Sequence, residues 1–342
     1  MRLSASDAPH IRKGETTRVV MGDVILTMAI LYLMAAYYYG PRAVMLGITG
    51  ILAAAASEIL CVLAARKRIN TRDYSAIVTG MMLPLFMPAS IDYWIVAAAA
   101  VFAIVVAKHP FGGTGQNIFN PAAAGFSFVA ICFGDRLFTY PPPLVHLPLW
   151  GEVTFVSAVS PGFTLDLGGI PTFDMAGMAL YGNYPGPMGA TNILVIFACL
   201  LYLVSRNTVN WKVPLTFYAT TAAYSWAFPR VAGGLTLGGA TRLDSVVFEM
   251  MSGMLLLGGM LMLADPTTTP RRNGAKVAYA VTAGVVVMLF RFYGGFEEEL
   301  PFAILLMNAT VWGFDMLAER WASMVRRKRY DSLVGQTLQK KA

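Results

Sequence analysis

The chain has 342 residues, 56% of them hydrophobic and 13% charged, with a net charge of +7 and a mean hydropathy of +0.58. Soluble domains carry about 25% charged residues, so a water-soluble globule is excluded and an all-α polytopic membrane protein is indicated. The positive charge does not point to nucleic acid, because Lys and Arg lie between apolar segments and at the two ends.

The first 18 residues form a polar arm carrying Arg2, Arg12, Lys13 and Arg18. With no apolar core or cleavage site, they read as a cytoplasmic arm rather than a signal peptide. Ten apolar segments follow, near 19–39, 43–65, 74–90, 92–108, 120–134, 191–206, 212–228, 246–264, 274–292 and 300–321. The third and fifth are short and interrupted by Pro or Gly, as in partly re-entrant segments. The spacing predicts a first membrane half over 19–134, a Pro- and Gly-rich excursion over 135–190, a second half over 191–321 and a basic tail over 322–342. Within the excursion, "VTFVSAV" suggests a hairpin.

Charge sets the expected orientation. Arg66, Lys67, Arg68 and Arg72, then Arg271, Arg272 and Lys276, then Arg326, Arg327, Lys328, Arg329, Lys340 and Lys341 fall on the side of the N-terminal arm, whereas Glu297, Glu298 and Glu299 fall opposite. This pattern predicts a multi-pass protein with both termini in the cytoplasm, the 135–190 excursion outside and membrane lipid around it. An internal echo accompanies it. "TGMML" (Thr79–Leu83) recurs as "SGMLL" (Ser252–Leu256), and Phe111-Gly112-Gly113 recurs as Tyr293-Gly294-Gly295. Five segments separate the copies, so the halves run in opposite directions. Two inverted five-helix repeats are expected, with segments three and eight meeting near the midplane.

Three places carry candidate chemistry. In "FGGTGQNIFNPAAAG", Gly112, Gly113 and Gly115 allow close backbone approach, Asn117 and Asn120 offer amide donors and acceptors, and Pro121 fits the first helical turn after an Asn120 cap. The spacing fits neither a Walker A nor a Rossmann loop, and a tight helix connection explains it as well. Of the acids within apolar segments, Glu58 lies deepest and is the ion-path candidate, with a structural role equally open. Asp23, Asp315 and Glu319 read as boundary groups, and Glu249 is the other acid of this kind. Thr191 follows Gly189 and Ala190 at the mouth of an apolar helix. It reads as an exposed hydroxyl, either a modified residue or an N-cap. Cys61, Cys132 and Cys199 lie in apolar stretches, and three scattered His make neither a zinc nor an iron–sulfur site.

"SAIVTGMMLPL", "FGGTGQNIFNPA", "ADPTTTP" and "LLMNATVWGFD", preceded by "APHIR" and "TTRVVMGDV", resemble the D subunit of Rnf complexes and, more distantly, the B subunit of sodium-translocating NADH:quinone reductase. The resemblance implies a urea-transporter-like inverted repeat in the bacterial inner membrane. It implies electron transfer between ferredoxin and NAD coupled to Na+ or H+ movement. Iron–sulfur and flavin subunits of the complex and a flavin transferase are the implied partners. It further implies FMN esterified through its phosphate to Thr191, the end of a Gly189-Ala190-Thr191 motif, and leaves open a second, non-covalent flavin. Pro185 and Met188 stand where the motif usually has an acid and a hydroxyl. A cofactor-free channel or solute transporter of the same architecture is the alternative.

Overall fold

The computed structural model describes residues 17–66, 73–151, 153–169, 181–230, 242–295 and 297–339. Each of the ten predicted segments contains a helix: α1 (Thr17–Tyr39), α2 (Arg42–Ala64), α3 (Ser75–Leu85), α4 (Tyr93–Phe102), α5 (Pro121–Cys132), α8 (Ile193–Ser205), α9 (Lys212–Ala227), α10 with α11 (Arg242–Met251, Leu255–Gly258), α12 (Asn273–Tyr293) and α13 (Leu300–Gln339). Two short helices in the excursion, α6 (Gly134–Leu137) and α7 (Pro161–Asp166), complete the order.

The chain is a polytopic membrane protein, but its helices are unequal. Five are long and apolar enough to cross a membrane, and six if the bent α10–α11 pair counts as one. Helices α3, α5 and α8 are shorter, for local reasons. Pro84 lacks the N–H that would bond the Gly80 carbonyl, and α3 ends one residue later. Asn120 starts α5 late by accepting N–H bonds from Ala122 and Ala123, with Pro121 at the first helical position. Helix α4 runs on as a π-helical segment (Ala103–Lys108), and α11 continues as another (Gly259–Leu263). The bend of 61° between α10 and α11 falls at Ser252–Met254, where Gly253 has φ +65°.

Helix α2 packs along α3 and α4, and α4 on α5; in the second half α9 packs along α10 and α12, and α12 on α13. The tightest approach joins Gly50 and Gly80, each facing the other's carbonyl; a Cβ on Gly80 would lie 2.5 Å from the Gly50 oxygen. Such contacts between small residues are how membrane helices gain dispersion energy without a hydrophobic drive. The echoed glycines differ locally, since Gly80 lies inside a continuous helix and Gly253 at a break.

Two other expectations change. Among the described residues of the excursion no hairpin forms, and the β pairing is one bridge, Tyr140 to Ala158. Buried Arg42 ties it down by donating to the carbonyls of Ala89, Ile91 and Pro148. The basic tail is not separate either, because α13 continues to Gln339. At 1.5 Å per residue its 40 residues extend about 60 Å, roughly twice a bilayer's hydrocarbon thickness.

Candidate functional site

The start of α3, the loop after α4, the turn after α8 and the end of the second π-helical segment meet at one place. Beneath them lies a cavity that is partly open to solvent. Its walls are apolar, with Val24, Val78, Met82, Leu203, Met260 and Leu261. Its polar groups come from both halves: Ser75, Thr79, Lys108, Thr114, Asn117 and Asn120 from the first, Asp265 and Thr267 from the second. Both π-helical segments end here, one in Lys108 and the other just before Asp265. Isolated π turns often mark functional positions because they shift the side chains that follow them. A wider groove adjoins it and shares Asn117 and Thr267.

Lys108 is 2% exposed. Its ammonium donates to Glu58 Oε2 at 2.9 Å and to Ser75 Oγ at 2.6 Å. Ser75 Oγ lies 2.8 Å from Thr114 Oγ1, which donates to Asp73 Oδ2 at 2.5 Å. Burial acts to raise the Asp73 carboxyl, but bonds from Thr114 and Ser75 hold it below the usual carboxylate range. Glu58 is therefore the counter-ion of a buried cation, and an ion path through it requires this pair to open. Sequence reasoning missed Lys108, whose signal was a lone cation at the end of an apolar segment.

The glycine-rich loop is only partly a ligand loop. Gly112, Gly113 and Gly115 all have positive φ. A Cβ on Gly113 or Gly115 would meet nothing within 4 Å, so these glycines answer the backbone's turn and not a close approach. Asn120 is committed to structure: besides capping α5, its Nδ2 donates to Met262 O and Asp265 Oδ2, and its N–H donates to Asn308 Oδ1. Asn117 is freer. Its Nδ2 donates to Phe119 O, while its Oδ1 takes no hydrogen bond among the described residues. Burial raises the Asp265 carboxyl, against bonds from the Thr267 N–H and hydroxyl.

Thr191 differs from expectation. It is 2% exposed, and Asn192, whose Oδ1 accepts from Val195 N, is the N-cap of α8. The loop before it folds inward onto the end of α3: Met188 N donates to Met87 O and Gly189 N to Leu85 O. A Cβ on Gly189 would sit 2.8 Å from Leu85 Cβ, and the buried Tyr184 hydroxyl donates to Ala190 O and Met251 O. The small residues before Thr191 thus serve this packing.

The acids read as boundary groups are partnered. Asp23 accepts from Tyr202, Arg206 and Thr208, Asp315 from the N–H groups of Arg271 and Arg272, and Glu319 from Arg272. The opposite face holds a denser network. Glu249, fully buried, is gripped by Arg230 and by Arg291, which also donates to its carbonyl at 2.7 Å. Arg230 reaches Asp166 at 2.6 Å. Glu298 Oε2 accepts from Met254 N at 3.0 Å, capping the break above Gly253, and Ser160 donates to Glu297. The glutamates expected in an outer loop are thus folded under it, because Arg291 and the broken helix supply partners that a linear reading does not show.

Burial, with mutual repulsion, raises Glu297 to about 8 and Glu299 to about 8; burial raises Glu298 to about 7 against the pull of Arg291 and the Met254 N–H. Carboxyls raised in the fold keep protons that the unfolded chain releases near 4.5, so stability falls as pH rises from there towards 8 and is constant above. Amide exchange at residues 297–299 is therefore expected to quicken between about pH 5 and 8 beyond its intrinsic base catalysis, and Glu298→Gln to flatten the excess. An excess that stays flat in the unaltered chain contradicts the neutral assignment.

Residues 4–322 match the profile of the NQR2, RnfD, RnfE family. The chain is 32% identical over 316 residues to the D subunit of the proton-translocating ferredoxin:NAD(+) oxidoreductase complex of Clostridium ljungdahlii, covering 90% of this chain and 92% of that one. It is 29% identical over 309 residues to the D subunit of the Na(+)-translocating ferredoxin:NAD(+) oxidoreductase complex of Acetobacterium woodii, covering 90% and 91%. It is 28% identical over 326 residues to the D subunit of the ion-translocating oxidoreductase complex of Ectopseudomonas mendocina, covering 90% and 92%.

Proposed function

The chain belongs to the NQR2, RnfD, RnfE family, and on that premise we propose that it is the membrane-embedded D-type subunit of an ion-translocating ferredoxin:NAD oxidoreductase complex. Other subunits bind the soluble electron donors and acceptors. This chain holds an electron carrier within the membrane, and the carrier is a flavin bound without a covalent link in the cavity beneath Lys108 and Asn117. The basic face that carries this cavity is cytoplasmic, by the rule that Lys and Arg stay inside. The halves are inverted repeats, a reading supported by the matching helix contacts and by the Gly-Gly turn after the fourth helix of each.

The observation that carries this reading is the convergence of the π-helical segments at Ala103–Lys108 and Gly259–Leu263, and of both halves, on one apolar cavity with a few polar groups. Small-ligand sites are mostly apolar, with a few convergent polar groups that fix orientation. Val78, Met82 and Met260 offer a planar ring its apolar contacts. Asn117 and Lys108 offer it an acceptor and a donor that the fold leaves unused. A flavin supplies one- and two-electron chemistry when bound; orientation, water exclusion and electrostatics come from these side chains.

The test is flavin content in the purified complex. Thr79→Trp fills the cavity and is expected to abolish the flavin that acid denaturation releases on account of this chain, with the other subunits still present in unchanged amounts. Thr191→Ala is expected to leave released and protein-bound flavin unchanged, because Asn192 keeps the cap. Full release from the Thr79→Trp complex excludes the cavity. Flavin fluorescence in this chain's denatured gel band that disappears with Thr191→Ala returns the carrier to Thr191.

A further inference from the structure

We propose that Lys108 is the charge-compensating residue of the cytoplasmic cavity, held in place by Glu58 and Ser75; the proposal rests on the flavin reading above. An ammonium has three donors. Two are spent on Glu58 Oε2 and Ser75 Oγ, and the third has no partner among the described residues, although Lys108 lines the cavity. The cation is nearly inaccessible, whereas its counter-ion Glu58 retains 22% side-chain exposure. Water therefore screens the carboxylate more than the ammonium, and the unspent donor of Lys108 keeps its field at the cavity.

An electron carrier that takes up two electrons and one proton gains one negative charge. Lys108 faces that charge and favours the reduced form. Glu58 opposes it by neutralising part of the Lys108 field. The pair thus sets the midpoint potential of the site, with Lys108 raising it and Glu58 lowering it. The π turn matters here because the register it imposes delivers Lys108 to the cavity rim.

Spectroelectrochemical titration of the releasable flavin in the purified complex tests this. Lys108→Met is expected to lower the ratio of reduced to oxidised flavin at a fixed potential at least tenfold, about 30 mV for a two-electron couple. Lys108→Arg is expected to retain the original midpoint. Glu58→Gln, which keeps an acceptor for Lys108 but removes its charge, is expected to shift the midpoint upward. A residue that merely holds the fold moves neither midpoint, or moves both in one direction, and either result overturns the proposal. If the Lys108→Met complex does not assemble, Glu58→Gln decides alone: a rise supports the proposal, and no change or a fall overturns it. Flavin that is absent from the unaltered complex, or survives Thr79→Trp, refutes the cavity reading itself, and the Lys108 proposal with it. A bound flavin with an unmoved midpoint refutes only the latter.

Discussion

Replacing Gly80 by alanine is expected to prevent the chain from accumulating in the membrane. The new Cβ would lie 2.5 Å from the Gly50 carbonyl oxygen, a backbone atom fixed inside α2. Overpacking in a core usually costs about 1–3 kcal/mol, when side chains can yield. Here the obstacle is main chain, so relief requires α2 and α3 to separate along their contact, and the cost exceeds that range. Gly50→Ala is expected to behave in the same way. Gly22→Ala is the control: it lies in α1 with nothing within 4 Å of a Cβ, and helix propensity favours alanine there by up to about 1 kcal/mol. Quantitative blotting of membranes and thermal denaturation in detergent check both. Equal levels of the Gly80→Ala and Gly22→Ala chains refute the close contact.

Arg291→Met is expected to be the most damaging charge substitution. Arg291 holds the side chain and carbonyl of fully buried Glu249 and the Ser252 carbonyl at the α10–α11 break, and its Nε lies 3.8 Å from Glu299. Removing one partner of a buried pair leaves an uncompensated charge and costs about 3–5 kcal/mol. Arg230 still reaches Glu249, which places the expected loss at the lower end. The double substitution Arg291→Met with Glu249→Gln is expected to recover part of the stability, because the orphaned charge goes with the cation. Recovery of none of the loss contradicts this account. Thermal shift of the purified complex reads each case.

The order and location of all ten segments were legible because apolar runs and their punctuation are local properties. Their lengths were less so. Whether α3 or α8 spans or stops depends on what buries its end, such as the Leu85–Met87 backbone meeting residues 188 and 189. The candidate site divides in the same way. Asn117 was recognisable as an amide in a glycine-rich loop. Asn120 was legible as the cap before Pro121, but not its bonds to Asn308 and Asp265, which lie far along the chain. Lys108 was passed over and Glu58 singled out, although the two form one ion pair: an acid inside a span is conspicuous, whereas a lysine near a span's end reads as a snorkelling group. The burial of Thr191 and of Glu298 could not be read from sequence, because both depend on segments folding back across a face.

The Asn120–Asn308 junction bears on how an ion could be moved. Many inverted-repeat carriers work by rocking one half against the other around a fixed site. In this chain the start of α5 is bonded through Asn120 to the Met262 carbonyl, to Asp265 and to Asn308 of α13, and Asn308 in turn holds Thr268 and Tyr279. Rocking shears this buried knot, and each bond left unmade costs about 1–3 kcal/mol. The hinge that a rocking carrier keeps soft is here stapled shut. The two halves therefore meet across a bonded junction and not a loose seam.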